Sequence, residues 1–208
     1  MFTWREARRH GYSAWQIRAR VEDGRWRPIL GPVLAMPGVQ STPWIRDRAA
    51  YLAAGESPVL SGPSAARLHG MEVRSPFACV TVPRGRHLEL DGVRILRESV
   101  ASDALVLIED MFVTEKARTV VDCLRLLPER EAVTLLDRAL QKRWITIEQL
   151  ARRVATHRAG GERVGSASCC VMRRPALGRN WSGVFIGSSA SRASPGGTRT
   201  MRCSTSGV

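Results

Sequence analysis

The sequence predicts an α+β fold, on three observations. The first 38 residues read as helix, tight turn, helix and hairpin; residues 77–113 fall into short apolar runs; and from Glu115 the apolar period becomes helical. After Gly165 no period of either kind is sustained. The expected parts are therefore a helix-turn-helix unit over 1–40, a small α+β domain over 41–160, and a disordered tail over 161–208.

Taken in order, Thr3-Trp4-Arg5-Glu6 has the capping-box form, in which a hydroxyl and a carboxylate satisfy the free N–H groups of a helix start. Gly11 stops that helix, and Ser13 caps a second whose Ala14, Ile17 and Val21 form an apolar face. Asp23-Gly24 ends it. Two short apolar strands broken by Gly31-Pro32 follow, between Arg25 and Gly38. Helix, turn, helix and hairpin is the order of a winged helix-turn-helix. Pro43 opens a helix running to Ala54, and Ser61 caps another that ends at Gly70. Phe77–Val82 reads as a strand, Leu88–Ile95 as a hairpin turning at Asp91-Gly92, and 106–108 and 111–113 as two more strands. Val120, Val121, Leu124 and Leu127 mark one helix, Val133, Leu136 and Leu140 a second after Pro128, and Thr146 caps a third.

The net charge of +13 and pI near 11.1 favour a polyanionic partner. Part of that charge belongs to the tail: 32 basic residues less the six arginines after Gly165 leave 26 against 19 acidic ones, a net of +7. Residues 165–208 have nine serines, seven glycines and no carboxylate, the composition of a disordered segment. The tail also carries Trp181, Val184, Phe185 and Ile186, and back-translation in a shifted frame yields an amphipathic helix and a strand-like segment. An out-of-frame tail is the favoured expectation. No apolar run of about 18 residues exists to span a membrane, and the first residues lack the form of a secretory signal, so a cytoplasmic protein is expected. The five cysteines form no CxxC or Cys/His ligand spacing, which supports neither zinc nor a disulfide framework.

The basic residues of the first 27 positions point to double-stranded DNA. With Ala14, Ile17 and Val21 inward, Gln16 and Arg20 are expected on an exposed face, where Gln reads adenine and Arg reads guanine in the major groove. Arg25 and Arg27 flank Trp26 at the start of the wing, in reach of phosphates. The candidate DNA contacts are Arg5, Arg8, Arg9, Ser13, Gln16, Arg20, Arg25 and Arg27. Trp15 and Trp26 are expected to anchor helix and wing, and His10 and His69 to serve as helix-end or packing residues.

A search for catalysis finds little. Metal-dependent nucleases need clustered carboxylates, commonly with a lysine two residues after one of them, and the positions two before Lys116 and Lys142 are Thr114 and Leu140. Glu89 and Asp91 share one side of a predicted strand but lack partners. No nucleophile triad and no phosphate-cradling glycine loop stands out. The chain is expected to be non-catalytic, with no cofactor and no metal.

Residues 3–38, Val59-Leu60-Ser61-Gly62-Pro63-Ser64-Ala65-Ala66-Arg67-Leu68-His69-Gly70, Val80-Thr81-Val82-Pro83-Arg84-Gly85 and Thr119-Val120-Val121-Asp122 resemble actinobacterial antitoxins of the AbiEi type. The resemblance covers about 1–160. It implies a winged-helix domain followed by an antitoxin-like α+β domain, autoregulatory DNA binding, and neutralisation of a nucleotidyltransferase-like toxin in a type IV toxin-antitoxin system. Such winged domains carry one more helix before the first one here, which implies an incomplete domain or a misplaced start. Many relatives also carry a C-terminal domain similar to very-short-patch-repair endonucleases of the PD-(D/E)XK class, and the shifted-frame tail resembles its opening. The competing expectations are an inactive, truncated remnant of such an endonuclease-associated protein and a protein-interaction module.

Overall fold

The computed structural model describes residues 1–159, which lie within one compact unit. The expected tail, 161–208, lies outside the described residues. The elements run β1 (Phe2–Thr3), α1 (Trp4–Arg9), α2 (Ala14–Glu22), β2 (Arg27–Leu30), β3 (Val33–Ala35), α3 (Pro43–Ala54), β4 (Val59–Leu60), α4 (Gly62–Leu68), β5 (Ala78–Val82), β6 (Val93–Arg97), β7 (Leu105–Ile108), β8 (Met111–Thr114), α5 (Lys116–Leu126), α6 (Glu129–Gln141) and α7 (Ile147–Ala159). The class is α+β, as expected. A three-stranded antiparallel sheet has the order β1-β3-β2, and a five-stranded mixed sheet has the order β6-β5-β4-β8-β7.

Three readings need correction. Leu88–Leu90 is not a strand: the Asp91-Gly92 turn forms, but β6 then pairs parallel with β5, Val80 opposite Ile95. A parallel partner is chosen by the buried sheet, and a local turn signal does not report it. Ser61 stands at the start of α4 without capping it. Its hydroxyl instead accepts from Thr81 Oγ1 at 2.9 Å. The two-residue strands β1 and β4 are additions, too short to show any alternation.

α3 lies between the two sheets because one helix carries two alanine faces. Ala49 and Ala53 pack with Val33 of β3, while Ala50 and Ala54 join Leu60, Val80 and Val113 in the core of the larger sheet. Small side chains let both sheets approach the helix closely. Asp47, on the same helix and buried, takes two bonds from the Arg67 guanidinium at 2.6 and 2.7 Å and one from Ser64 Oγ at 2.5 Å. Ser64 Oγ also accepts the Cys79 N–H at 2.7 Å, so this cluster ties α3, α4 and β5 together. At the start of α4, Gly62 has φ +48°, and a Cβ there would meet Leu126 Cδ1 at 2.8 Å. Glycine is therefore required both by the backbone and by the closeness of α5.

A second buried network sits between α5 and the end of β6. Arg118 bonds Asp122 at 2.9 Å and also Glu98, and Arg125 bonds Glu98 at 2.9 Å. Burial alone would push the Glu98 carboxyl up, but Arg125 and Arg118 together hold it below its ordinary value. Asp122 has no exposed surface, and burial outweighs Arg118 to push its carboxyl up to about 6. Burial likewise raises the Cys79 thiol to about 12 and Cys123 well above its ordinary value, so both remain protonated, structural thiols.

The two carboxylates of this network oppose each other in pH. Folding favours protonated Asp122, whose contribution is greatest below its ordinary 3.8 and is lost as pH rises through about 6. Glu98 behaves oppositely, and its contribution is lost as pH falls below its ordinary 4.5. Between about pH 7 and 5 the first effect dominates and is worth at most about 1.4 kcal/mol, the figure for roughly one pKa unit. Thermal denaturation should show the native chain gaining stability over that interval relative to Asp122→Asn. Parallel pH profiles for the two proteins would show that Asp122 is ionised throughout.

Candidate nucleic-acid interface

The first 40 residues build their own small core from Ala7, Ile17, Trp26 and Leu34, with Phe2, Trp4, Tyr12 and Val21 around it. Both helix starts are closed by reciprocal caps. Thr3 N–H donates to Glu6 Oε2 at 2.6 Å and Glu6 N–H to Thr3 Oγ1 at 3.2 Å; Ser13 N–H donates to Gln16 Oε1 at 2.7 Å and Gln16 N–H to Ser13 Oγ at 3.1 Å. Gly11, at φ +87°, turns the chain between α1 and α2. β2 and β3 then form the hairpin, and β1 adds on the far side of β3, with Phe2 opposite Leu34.

Trp26 is the anchor expected of it. Phe2 and Tyr12 meet its ring edge-on at 4.9 and 5.0 Å. Trp15 is the reverse of the expectation: it is 74% exposed. The wheel explains the error. Ile17 points into the core, and a residue two positions away on a helix lies roughly opposite it.

The same geometry changes the reading of Arg20. Three residues beyond Ile17, it lies beside the core stripe, and its guanidinium stacks over Tyr12 at 4.9 Å and Trp26 at 5.4 Å. Its Nε is buried and has no hydrogen-bond partner. Gln16 is exposed, but its carbonyl is held by the Ser13 cap, so paired recognition of adenine would cost that cap. Gln16 and Arg20 therefore do not form one free reading face.

The remaining candidates lie at the surface. Arg9 is exposed, Arg8 reaches the Tyr12 carbonyl at 3.4 Å, Arg5 pairs with Glu56 at 3.5 Å and Arg25 with Asp23 at 2.8 Å. Arg27 donates to the Val39 carbonyl. Arg18, which is absent from the candidate contacts, is exposed three residues after Trp15 on α2, which places the two on one flank.

His10 ends α1, and His69 ends α4 with Nε2 2.7 Å from the Thr114 carbonyl. Glu89 and Asp91 are exposed beside a turn. Among the described residues, no group of three or more His, Cys, Asp or Glu side chains is placed to hold a metal ion, and no helix is long and apolar enough to cross a membrane.

The stacked guanidinium makes Arg20 a stability residue. Arg20→Ala should lower the thermal midpoint by an amount equivalent to about 1 to 2 kcal/mol, at roughly 0.5 to 1 for each aromatic partner, and Arg20→Lys should recover only part because an ammonium cannot stack flat. An unchanged midpoint in both variants would mean the stack contributes nothing and would return Arg20 to the pool of free contacts. No family model matches this chain, and no curated protein matches it.

Proposed function

We propose that the chain is a non-catalytic, DNA-binding regulator of the antitoxin type, whose first 40 residues work as a winged helix-turn-helix in the cytoplasm. α2 enters the major groove, the β2–β3 hairpin is the wing, and the nucleotidyltransferase-like toxin implied by the resemblance is the protein partner. The observation that carries this reading is the free face of α2. Only Ile17 of this helix is fully buried, while Trp15, Gln16 and Arg18 face solvent, and Arg8 and Arg9 of α1 are exposed as well. A helix held by one stripe, with glutamine, arginine and an aromatic ring at the surface and Glu22 at its far end, suits a groove whose edges present acceptors to arginine and whose walls are phosphates.

The sequence-level assignment of base reading to Gln16 and Arg20 passes on this reading to Arg18, with Trp15 available for apolar contact with a thymine methyl. Arg5, Arg8, Arg9, Arg25 and Arg27 contact the phosphate backbone. Ser13 and Gln16 set the angle of α2 by capping it.

The test is fluorescence anisotropy of the full chain with a duplex from its own promoter, titrated against random duplex at matched salt. Arg18→Ala should weaken specific binding by about 1 to 3 kcal/mol, as for loss of one paired base contact, with the thermal midpoint unchanged. Arg9→Ala should weaken both duplexes alike and reduce the slope of log affinity against log salt by about 1. Equal affinity for the two duplexes would favour a protein-interaction module instead.

A further inference from the structure

The five-stranded sheet treats its two edges differently. β6, at one edge, carries Arg94 and Arg97, and Arg97 covers the margin by donating to the carbonyls of Arg86 and Leu88 at 3.1 and 3.0 Å. Charged side chains on an edge are a common defence against strand addition. β7, at the other edge, reads Leu-Val-Leu-Ile with no charge, and among the described residues no strand pairs with its outer side.

The backbone of β7 is arranged to accept one. Glu109 and Asp110 have φ of 49° and 62°, the two positive values of a type I′ turn, so Ile108 and Met111 form the hydrogen-bonded pair that closes the hairpin. Bonded and non-bonded pairs alternate along an antiparallel ladder, which makes Leu107 and Phe112 a non-bonded pair. Phe112 confirms this, because its N–H donates away from β7 to Tyr51 Oη at 3.2 Å. Leu107 must then turn both its N–H and its C=O outward. Its side chain is 64% exposed, the facing Phe112 is 48% exposed, and a cavity of about 390 Å³ lined by Val59, Val82, Val100, Leu105 and Phe112 continues the apolar surface.

Charge selects the occupant. In a chain of net +13, residues 99–115 hold four carboxylates and no lysine or arginine, with Asp103 before β7 and Glu109 and Asp110 after it. A second copy paired antiparallel about Leu107 would bring Asp103 of each chain beside Asp110 of the other, and like charges so placed repel. We propose that the outer edge of β7 is a docking site for an extended peptide segment of a partner protein, apolar in alternation and basic at its ends. The segment adds as a sixth strand. Its backbone pairs with Leu107, its apolar side chains rest on Leu107 and Phe112, and its terminal cations meet Asp103 and the Glu109-Asp110 turn. This site does not depend on the DNA-binding reading, and its acidic character sets it apart from the basic α2 face.

The probe is a fluorescent peptide alternating valine and threonine between paired terminal arginines, with a second peptide carrying glutamates in their place. Polarisation with the DNA-free full chain should show saturable binding of the basic peptide and at least about tenfold weaker binding of the acidic one. Leu107→Pro removes the outward N–H together with the exposed leucine side chain and leaves the β7–β8 ladder paired, so it should weaken binding by about tenfold or more at an unchanged circular dichroism spectrum. The paired Asp103→Asn and Asp110→Asn changes, which leave the backbone untouched, should weaken it and flatten its salt dependence. No binding of the basic peptide, equal binding of both peptides, or binding insensitive to either set of changes overturns the proposal. So does sedimentation showing self-association that Leu107→Pro abolishes, since the edge would then belong to a second copy.

Discussion

The architecture depends on a carboxylate with almost no access to water. Asp47 sits on a helix whose other fully buried positions are alanines facing two different sheets; Tyr51 and Leu52 are only partly buried, and a fully buried polar lock adds to what they hold. The Arg67 fork and the Ser64 hydroxyl supply that lock. A buried charge stripped of its partner typically costs about 3 to 5 kcal/mol, so displacement of α4 from α3 is penalised far more steeply than apolar contact alone would penalise it. Because Ser64 also holds the Cys79 N–H, the penalty extends to the sheet. The N-terminal unit in turn rides on the opposite face of α3, through Val33 against Ala49 and Ala53. The orientation of α2 thus rests on an ion pair in another part of the fold.

Much of this was legible because the elements announce themselves locally. The Thr3–Glu6 box, Ser13 as a cap, the glycine stop at Gly11, Pro43 opening α3 and Thr146 capping α7 are signals that act within one turn of the chain, and each is present in the structure. What escaped is non-local or very short. β4 has two residues and exists because β5 and β8 flank it. β6 joins β5 in parallel across a loop, a choice made by the sheet and not by the Asp91-Gly92 turn. At the candidate site the charges were readable but their directions were not, since Gln16 and Arg20 fit an exposed pair until Tyr12 and Trp26, from outside the helix, claim the guanidinium.

Several of the residues quoted for the resemblance outside 3–38 hold the body together. Ser64, Arg67 and Asp122 are members of the buried polar networks, and Ser61 and Thr81 bond each other beneath the sheet. Such residues pack α4 and α5 onto β5. They say little about the surface of α2, where recognition of a particular DNA sequence would be decided.

The same distinction decides which arginines remain available to a ligand. Arg67 and Arg118 are mostly buried and bound to carboxylates that are more buried still, so those charges cancel within the protein. Arg5 and Arg25 are also paired, with Glu56 and Asp23, but all four side chains are largely exposed. Exposed pairs contribute little and are weakened by salt, so a phosphate can displace the carboxylate at small cost. Arg20 is the intermediate case, with a charge that no carboxylate neutralises and a plane that two rings hold in place. Its field reaches any polyanion docked on α2, and the part of its contribution that comes from charge alone is independent of sequence.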